Sequence, residues 1–303
     1  MFKSDTVILI KLSYNKVYFF VTLQAITTLT YKYEFTEVNA VLLAADVGNT
    51  SINIGLFENK TLVCRTKIAS DQLKTADEYA VLFAGIFAMK KIDISDIHGA
   101  ILLSVVPQLT HTVIGALGEF DIIPLVVGAG IKTGLNIRID NPSVLGADIV
   151  ANTIGAAKLA KPPFAVVDLG TATTITAVNP NGELCGCIIA PGAKLSLDSL
   201  YQSCALLPNV TVSSPAKLIG TNTPDSMNAG CVLGSALMLD GFISSLKAEF
   251  GTDELPIIAT GGLSELILPL CKSKNIYCDP DLTLNGLCRL WEINKKKRTN
   301  SEV

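Results

Sequence analysis

One short motif occurs twice in this chain, and nothing else in the sequence restricts its fold as much. Leu43-Ala44-Ala45-Asp46-Val47-Gly48-Asn49-Thr50 returns 122 residues later as Ala165-Val166-Val167-Asp168-Leu169-Gly170-Thr171-Ala172. In each copy an apolar strand ends in Asp-x-Gly plus an amide or hydroxyl residue. The first copy is followed by an alternating strand with Ile52, Ile54 and Leu56 on one face, then by a third strand, Thr61 to Ile68. The second is followed by an alternating strand from Thr173 to Val178, an Asn181-Gly182 turn and a strand from Leu184 to Ala190. Two copies of a strand-rich opening predict two lobes and a cleft where both turns meet one ligand.

Between the copies the pattern alternates. Thr75 and Glu78 form a capping-box signature before an amphipathic helix from Tyr79 to Lys91. A strand from Gly99 to Ser104, a helix after Pro107 and a strand ending at Val127 follow. A further helix runs to Leu159, with Asp148 in its first turn, where the helix dipole favours an acid on structural grounds alone. Thr223-Pro224 reads as a helix cap with a first-turn proline. Pro256 to Thr260 is an apolar strand running into Gly261-Gly262 and a helix from Ser264.

An Asp-x-Gly-Asn-Thr turn suits phosphate, because the glycine allows close backbone approach and the exposed amides and hydroxyls donate to phosphate oxygens. A single copy reads equally well as a tight hairpin with an Asx turn, so the duplication carries the argument. Neither a Walker-type loop nor a Gly-x-Gly-x-x-Gly turn after a strand is present to compete.

Composition narrows the class. With 49% hydrophobic and 17% charged residues the chain is globular, and 303 residues suffice for two domains. A net charge of −3, with one basic run from Lys295 to Arg298, argues against nucleic acid as a partner. Eight cysteines without a Cys-x-x-Cys pair, and two isolated histidines, read as reduced thiols in a cytoplasmic protein without a zinc site. Residues 1–40 differ from the rest, with no Gly or Pro and eight of the nineteen aromatic residues. The uncharged run Val17 to Tyr31 is too short to span a membrane. A signal peptide ending at Val38-Asn39-Ala40 is the alternative to an upstream, non-native extension, and Glu34 and Glu37 fit it poorly.

Seven motifs in order are similar to those of type III pantothenate kinases: Asp46-Val-Gly-Asn-Thr50, Ser104-Val-Val-Pro107, Asn141-Pro-x-x-x-Gly146-Ala-Asp148, Val167-Asp168-Leu-Gly-Thr171-Ala-Thr173, Ala190-Pro-Gly192, Leu218-Ile-Gly220-x-Asn-Thr223 and Ala259-Thr-Gly-Gly262. That resemblance implies an α/β fold of two duplicated actin-like (ribonuclease H-like) ATPase lobes, each a mixed sheet flanked by helices, with a cleft between. The lobes would occupy 41–160 and 161–295, between an atypical 1–40 segment and a basic 296–303 tail.

By the same resemblance, Asp46, Val47, Gly48, Asn49, Thr50, Ser51, Ile52 and Asn53 form an ATP-binding loop, with Thr171 also on ATP and Asp46 near Mg2+. Asp168 holds a monovalent cation, K+ or NH4+. Gly146, Ala147, Asp148, Ile149 and Thr223 contact pantothenate, and Asp148 accepts the proton of its primary hydroxyl. A homodimer without membrane or nucleic-acid partners is implied. Ile149 stands where the family usually has Arg, and no aromatic residue precedes Asn141-Pro142 where Tyr is common. An inactive regulatory homologue, or a kinase of the same superfamily for another small hydroxy substrate, are the alternatives.

Overall fold

The computed structural model describes residues 7–11, 18–22 and 41–295. It divides into two units, residues 1–40 and 41–303. In the first, β1 (Val7–Lys11) and β2 (Tyr18–Thr22) pair as an antiparallel two-stranded sheet. Apart from Tyr18–Thr22, the run Val17 to Tyr31 lies outside the described residues, as do the cleavage-like Val38-Asn39-Ala40 and the 296–303 tail.

The second unit holds two sheets. The first contains β3 (Val41–Val47), β4 (Ser51–Glu58), β5 (Thr61–Ala69), β6 (Ile97–Ser104) and β7 (Leu125–Val126), in the order β5-β4-β3-β6-β7. Helices α1 (Ala76–Met89) and α2 (Pro107–Gly118) connect its later strands. The capping box is formed: the Thr75 hydroxyl accepts from the Glu78 amide, and the Glu78 carboxylate accepts from the Thr75 amide.

The second sheet contains β8 (Asn136–Ile137), β9 (Phe164–Leu169), β10 (Ala172–Val178), β11 (Glu183–Pro191), β12 (Ile257–Thr260) and β13 (Ile276–Cys278), ordered β13-β12-β9-β10-β11-β8. Its helices are α3 (Ala147–Ala156), α4 (Ala193–Ser203), α5 (Thr223–Asn228), α6 (Gly234–Phe250), α7 (Ser264–Ile267) and α8 (Leu282–Lys295). The repeat is structural. In both sheets the Asp-bearing strand pairs antiparallel with the strand after its turn, which pairs antiparallel with a third. A parallel strand, β6 or β12, flanks it on the other side.

Strand alternation decides which way each aspartate points. In β3, Leu43, Ala45 and Val47 pack under α1 and α2 with Tyr79, Phe83 and Leu109, whereas Leu42 and Ala44 pack on the opposite face with Val150, Ile154, Leu287 and Leu290. Asp46 continues the second stripe. In β9, Ala165, Val167 and Leu169 pack against Ala236, Leu239 and Ile243 of α6, whereas Phe164 and Val166 meet Ala156 and Leu282. Asp168 continues that stripe. Helices α3 and α8 therefore form the layer between the sheets, and both aspartates sit at strand ends on the faces turned toward it.

Helix α8 follows every strand of the second sheet yet packs into the core of the first, which a division of the chain at residue 160 does not convey. It crosses α3 at close range: a Cβ on Gly286 would collide with the Ala151 backbone carbonyl. Small residues permit backbone approach that no side chain would.

Candidate active site

Turn chemistry brings the two motif copies together. After β3, the Gly48 amide donates to the Ser51 carbonyl at 3.0 Å, and the Ser70 hydroxyl donates to the Gly48 carbonyl at 2.5 Å, pinning the first turn to the end of β5. After β9, the Gly170 amide donates to the Ala172 carbonyl at 3.1 Å. The exposed tips meet: Thr50 Oγ1 and Thr171 Oγ1 are 3.1 Å apart, a hydrogen bond between residues 121 positions apart in sequence. The cleft expected from the duplication is thus lined by one turn from each sheet.

Beneath the tips lie Asp46 and Asp168, both half-buried. Asn53 Nδ2 donates to Asp46 Oδ2 at 3.0 Å, and Asn152 Nδ2 donates to Asp168 Oδ2 at 3.0 Å. Each carboxylate therefore has one amide partner, from the adjacent strand in the first case and from α3 in the second. Burial pushes Asp46 up from 3.8 to about 6, with repulsion from Asp148 adding and the Asn53 bond and Lys67 opposing. Burial likewise raises Asp168 to about 6, with repulsion from Asp148 and Asp46 adding and Asn152 opposing. Three carboxylates from β3, β9 and the start of α3 thus share one electrostatic environment.

Asp148 is held at the first turn of α3, its carboxylate folded back over Gly146 so that a side chain at 146 would strike it. Gly261 encloses Asp168 from the side of β12: its φ is +101°, and a Cβ there would stand 2.5 Å from Asp168 Oδ1. Only glycine satisfies both the left-handed backbone and the close approach.

The remaining residues expected at the site divide by exposure. Asn49, Thr50 and Thr171 are exposed, and Gly48, Ser51 and Asn53 partly so. Val47 and Ile52 are fully buried in the core, so only their backbone can face a nucleotide. Gly146 and Ala147 are partly exposed beside Asp148, while Ile149 is 7% exposed and turned inward. Thr223 is exposed at the start of α5 but is not the cap: the Asn222 side chain caps that helix, accepting from the Asp225 amide at 2.9 Å. Asn222 competes successfully because its short amide reaches back to the third helical N–H. Among the described residues no hydrogen bond joins Thr223 to the three aspartates.

Sequence reasoning missed three contributors. Asn152 lies four residues after Asp148, on the same face of α3, and that spacing was its available signal. Thr283, whose hydroxyl donates to Asn152 Oδ1 at 2.7 Å, comes from α8 and had none. Lys67 sits directly across from Asn53, and Asn53 from Asp46, a row visible only once strand register is known.

Oxygen donors at Asp46 and Asp168 suit hard cations. Among the described residues no group of three or more His, Cys, Asp or Glu cages a metal. Such a donor set fits Mg2+ taken through one or two carboxylates together with substrate phosphates.

Residues 42–245 match the family model described as type III pantothenate kinase. The chain is 41% identical over 262 residues to a type III pantothenate kinase from Geotalea uraniireducens, covering 84% of this chain and 100% of that protein. It is 40% identical over 259 residues to one from Moorella thermoacetica, with the same coverage. Among solved structures, a conserved Campylobacter jejuni protein described as a Baf family transcriptional activator superposes with a TM-score of 0.51 at 17% identity, covering 84% of this chain and 99% of that one. At such identity the likeness speaks for the fold alone.

Proposed function

Because the chain belongs to the type III pantothenate kinase family, we infer that it transfers the terminal phosphoryl group of ATP to the primary hydroxyl of pantothenate, giving 4'-phosphopantothenate at the start of coenzyme A synthesis. The observation that supports this reading most is the 3.1 Å approach of Thr50 and Thr171 in the turns that follow Asp46 and Asp168, an arrangement suited to a phosphate held between two turns. In the reaction the hydroxyl oxygen forms a bond to the γ-phosphorus as the β–γ bridging P–O bond breaks, and ADP leaves. Catalysis of such a transfer is mostly positioning and charge stabilisation.

In this reading the turn from Asp46 to Asn53 meets the phosphates through exposed amides and the Thr50 hydroxyl, and Thr171 meets them from the second sheet. Asp148 accepts the hydroxyl proton, with Gly146, Ala147 and Thr223 beside the substrate. Asp46 would hold Mg2+ and Asp168 a monovalent cation, K+ or NH4+; these ions supply charge neutralisation at the phosphates. The inward-turned Ile149 leaves substrate affinity to the remaining contacts. The reading includes a cytoplasmic homodimer without a membrane partner. Exposed Leu218, Ile219 and Leu206 in the segment before α5 are consistent with a subunit contact.

The test is ATP-dependent phosphorylation of pantothenate by the full chain with Mg2+, with and without K+, beside Asp148→Asn. K+-dependent turnover that falls at least 100-fold in Asp148→Asn is expected, the size of a lost general base. A folded, ATP-binding protein that leaves pantothenate untouched would overturn the assignment in favour of another hydroxy substrate or a regulatory role.

A further inference from the structure

The cleft collects three carboxylates, and a nucleotide adds the charge of a triphosphate. Lys67 is the cation that electrostatics couples to this cluster, at Asp46. Its position follows from strand register. Asp46 on β3 lies across from Asn53 on β4, and Asn53 lies across from Lys67 on β5. Directly paired residues point to the same face, so three consecutive strands present Asp46, Asn53 and Lys67 as one transverse row.

The row faces the second sheet. β5 is the edge strand, and on it Cys64 and Ile68 pack toward α1 and α2, which sends the alternate residue Lys67 to the other face. There its Nζ lies 3.9 Å from where a Cβ on Gly262 would stand, in the turn following β12. The side chain therefore reaches from an edge strand of one sheet to the Gly261-Gly262 turn of the other, the turn that encloses Asp168. Among the described residues Lys67 forms no ion pair, in contrast to Lys60, Arg65 and Lys194, which pair with Glu292, Asp281 and Asp198. A cation held beside a carboxylate cluster without being neutralised by it is available to an incoming anion.

We propose that Lys67 is a catalytic residue whose ammonium binds the terminal phosphoryl oxygens of the nucleotide, bridging the two sheets over the Gly261-Gly262 turn and stabilising charge on the transferring group. This rests on the phosphoryl-transfer reading of the same cleft. Lysine suits the task because its compact charge on a flexible stem can follow the phosphoryl group as it moves. A merely structural role would be to offset Asp46, and that role would leave nucleotide discrimination untouched.

The test compares wild type with Lys67→Met and Lys67→Arg. Calorimetric binding of a non-hydrolysable ATP analogue and of adenosine is measured for each, followed by steady-state kinetics. Lys67→Met should bind the ATP analogue at least tenfold more weakly and adenosine unchanged. Its kcat should fall by about 100-fold or more, the effect of removing one preorganised charge-stabilising group. The KM for pantothenate should hold, and Lys67→Arg should recover part of the loss. Equal affinities for the analogue in Lys67→Met and wild type, or equal weakening of analogue and adenosine, overturns the proposal. Lys67 is exposed on an edge strand, so the variants are expected to fold, and Lys67→Gln serves as a second neutral replacement. If wild type leaves pantothenate unphosphorylated, the functional reading fails, while the analogue-to-adenosine comparison still decides Lys67.

Discussion

Replacing Asp168 by Asn should stabilise the metal-free protein at neutral pH while abolishing whatever the carboxylate does for activity. Burial, then repulsion from Asp148 and Asp46, raises Asp168 from 3.8 to about 6. A carboxyl with a folded-state pKa above its unfolded value favours the fold when neutral. It costs nothing below about pH 4, costs progressively more as pH rises, and reaches its full penalty above about pH 6. Two units at 1.36 kcal/mol each set that penalty at about 3 kcal/mol. Solvent reaches part of the side chain, and an Asn amide also costs free energy to bury, so the net gain at pH 7.5 should be about 1–3 kcal/mol. The Asn oxygen can still accept from Asn152, so the bond at 3.0 Å need not be lost. Urea denaturation of wild type and Asp168→Asn in EDTA, at pH 7.5 and pH 5, reads the effect. The gain should shrink by about half at pH 5, where much of the wild-type carboxyl is protonated in the folded state. A variant no more stable than wild type at pH 7.5, or a gain that does not change with pH, would refute the electrostatic reasoning.

Three further substitutions probe the scaffold. Gly286→Ala should cost about 3 kcal/mol, the upper end for overpacking, because the added methyl meets the Ala151 carbonyl rather than a side chain that can move. Gly241→Ala, in the middle of α6 with open space around it, should instead stabilise by about 0.5–1 kcal/mol, and equal denaturation midpoints for the two variants would dismiss the crossing argument. Asn152→Ala removes the donor to Asp168 and the acceptor for Thr283 at a residue that is 3% exposed. It should cost about 1–3 kcal/mol in denaturant and raise the Asp168 pKa further, measured by carboxyl NMR; an unmoved Asp168 resonance would contradict the assigned bond.

Much of this molecule is legible in sequence because its information is local. Duplicated strand-turn-strand openings, period-two alternation in β4 and β10, the Thr75–Glu78 capping box and the Asn181-Gly182 turn each follow from a few neighbouring residues, and each is found where the pattern puts it. Thr223 shows the limit of local reading: Thr and Asn compete for a cap one residue apart, and side-chain reach at the actual backbone angles selects Asn222. Val47 and Ile52 show it again, since motif membership says nothing about which face of a strand a residue occupies.

By itself the sequence determined that two Asp-bearing turns exist, that each ends an apolar strand, and that the ordered motifs are those of one kinase family. Only the tertiary structure decided that those turns touch through Thr50 and Thr171, that repulsion from Asp148 adds to the cost of charging Asp46 and Asp168, and that Lys67 points across the cleft. It also returned α8 to the first sheet, so that Thr283 supports Asn152 from a part of the chain 131 positions away. The physical reason is separation in sequence: strand register and helix docking are set by packing summed over the whole core, and no window of neighbouring residues contains that sum.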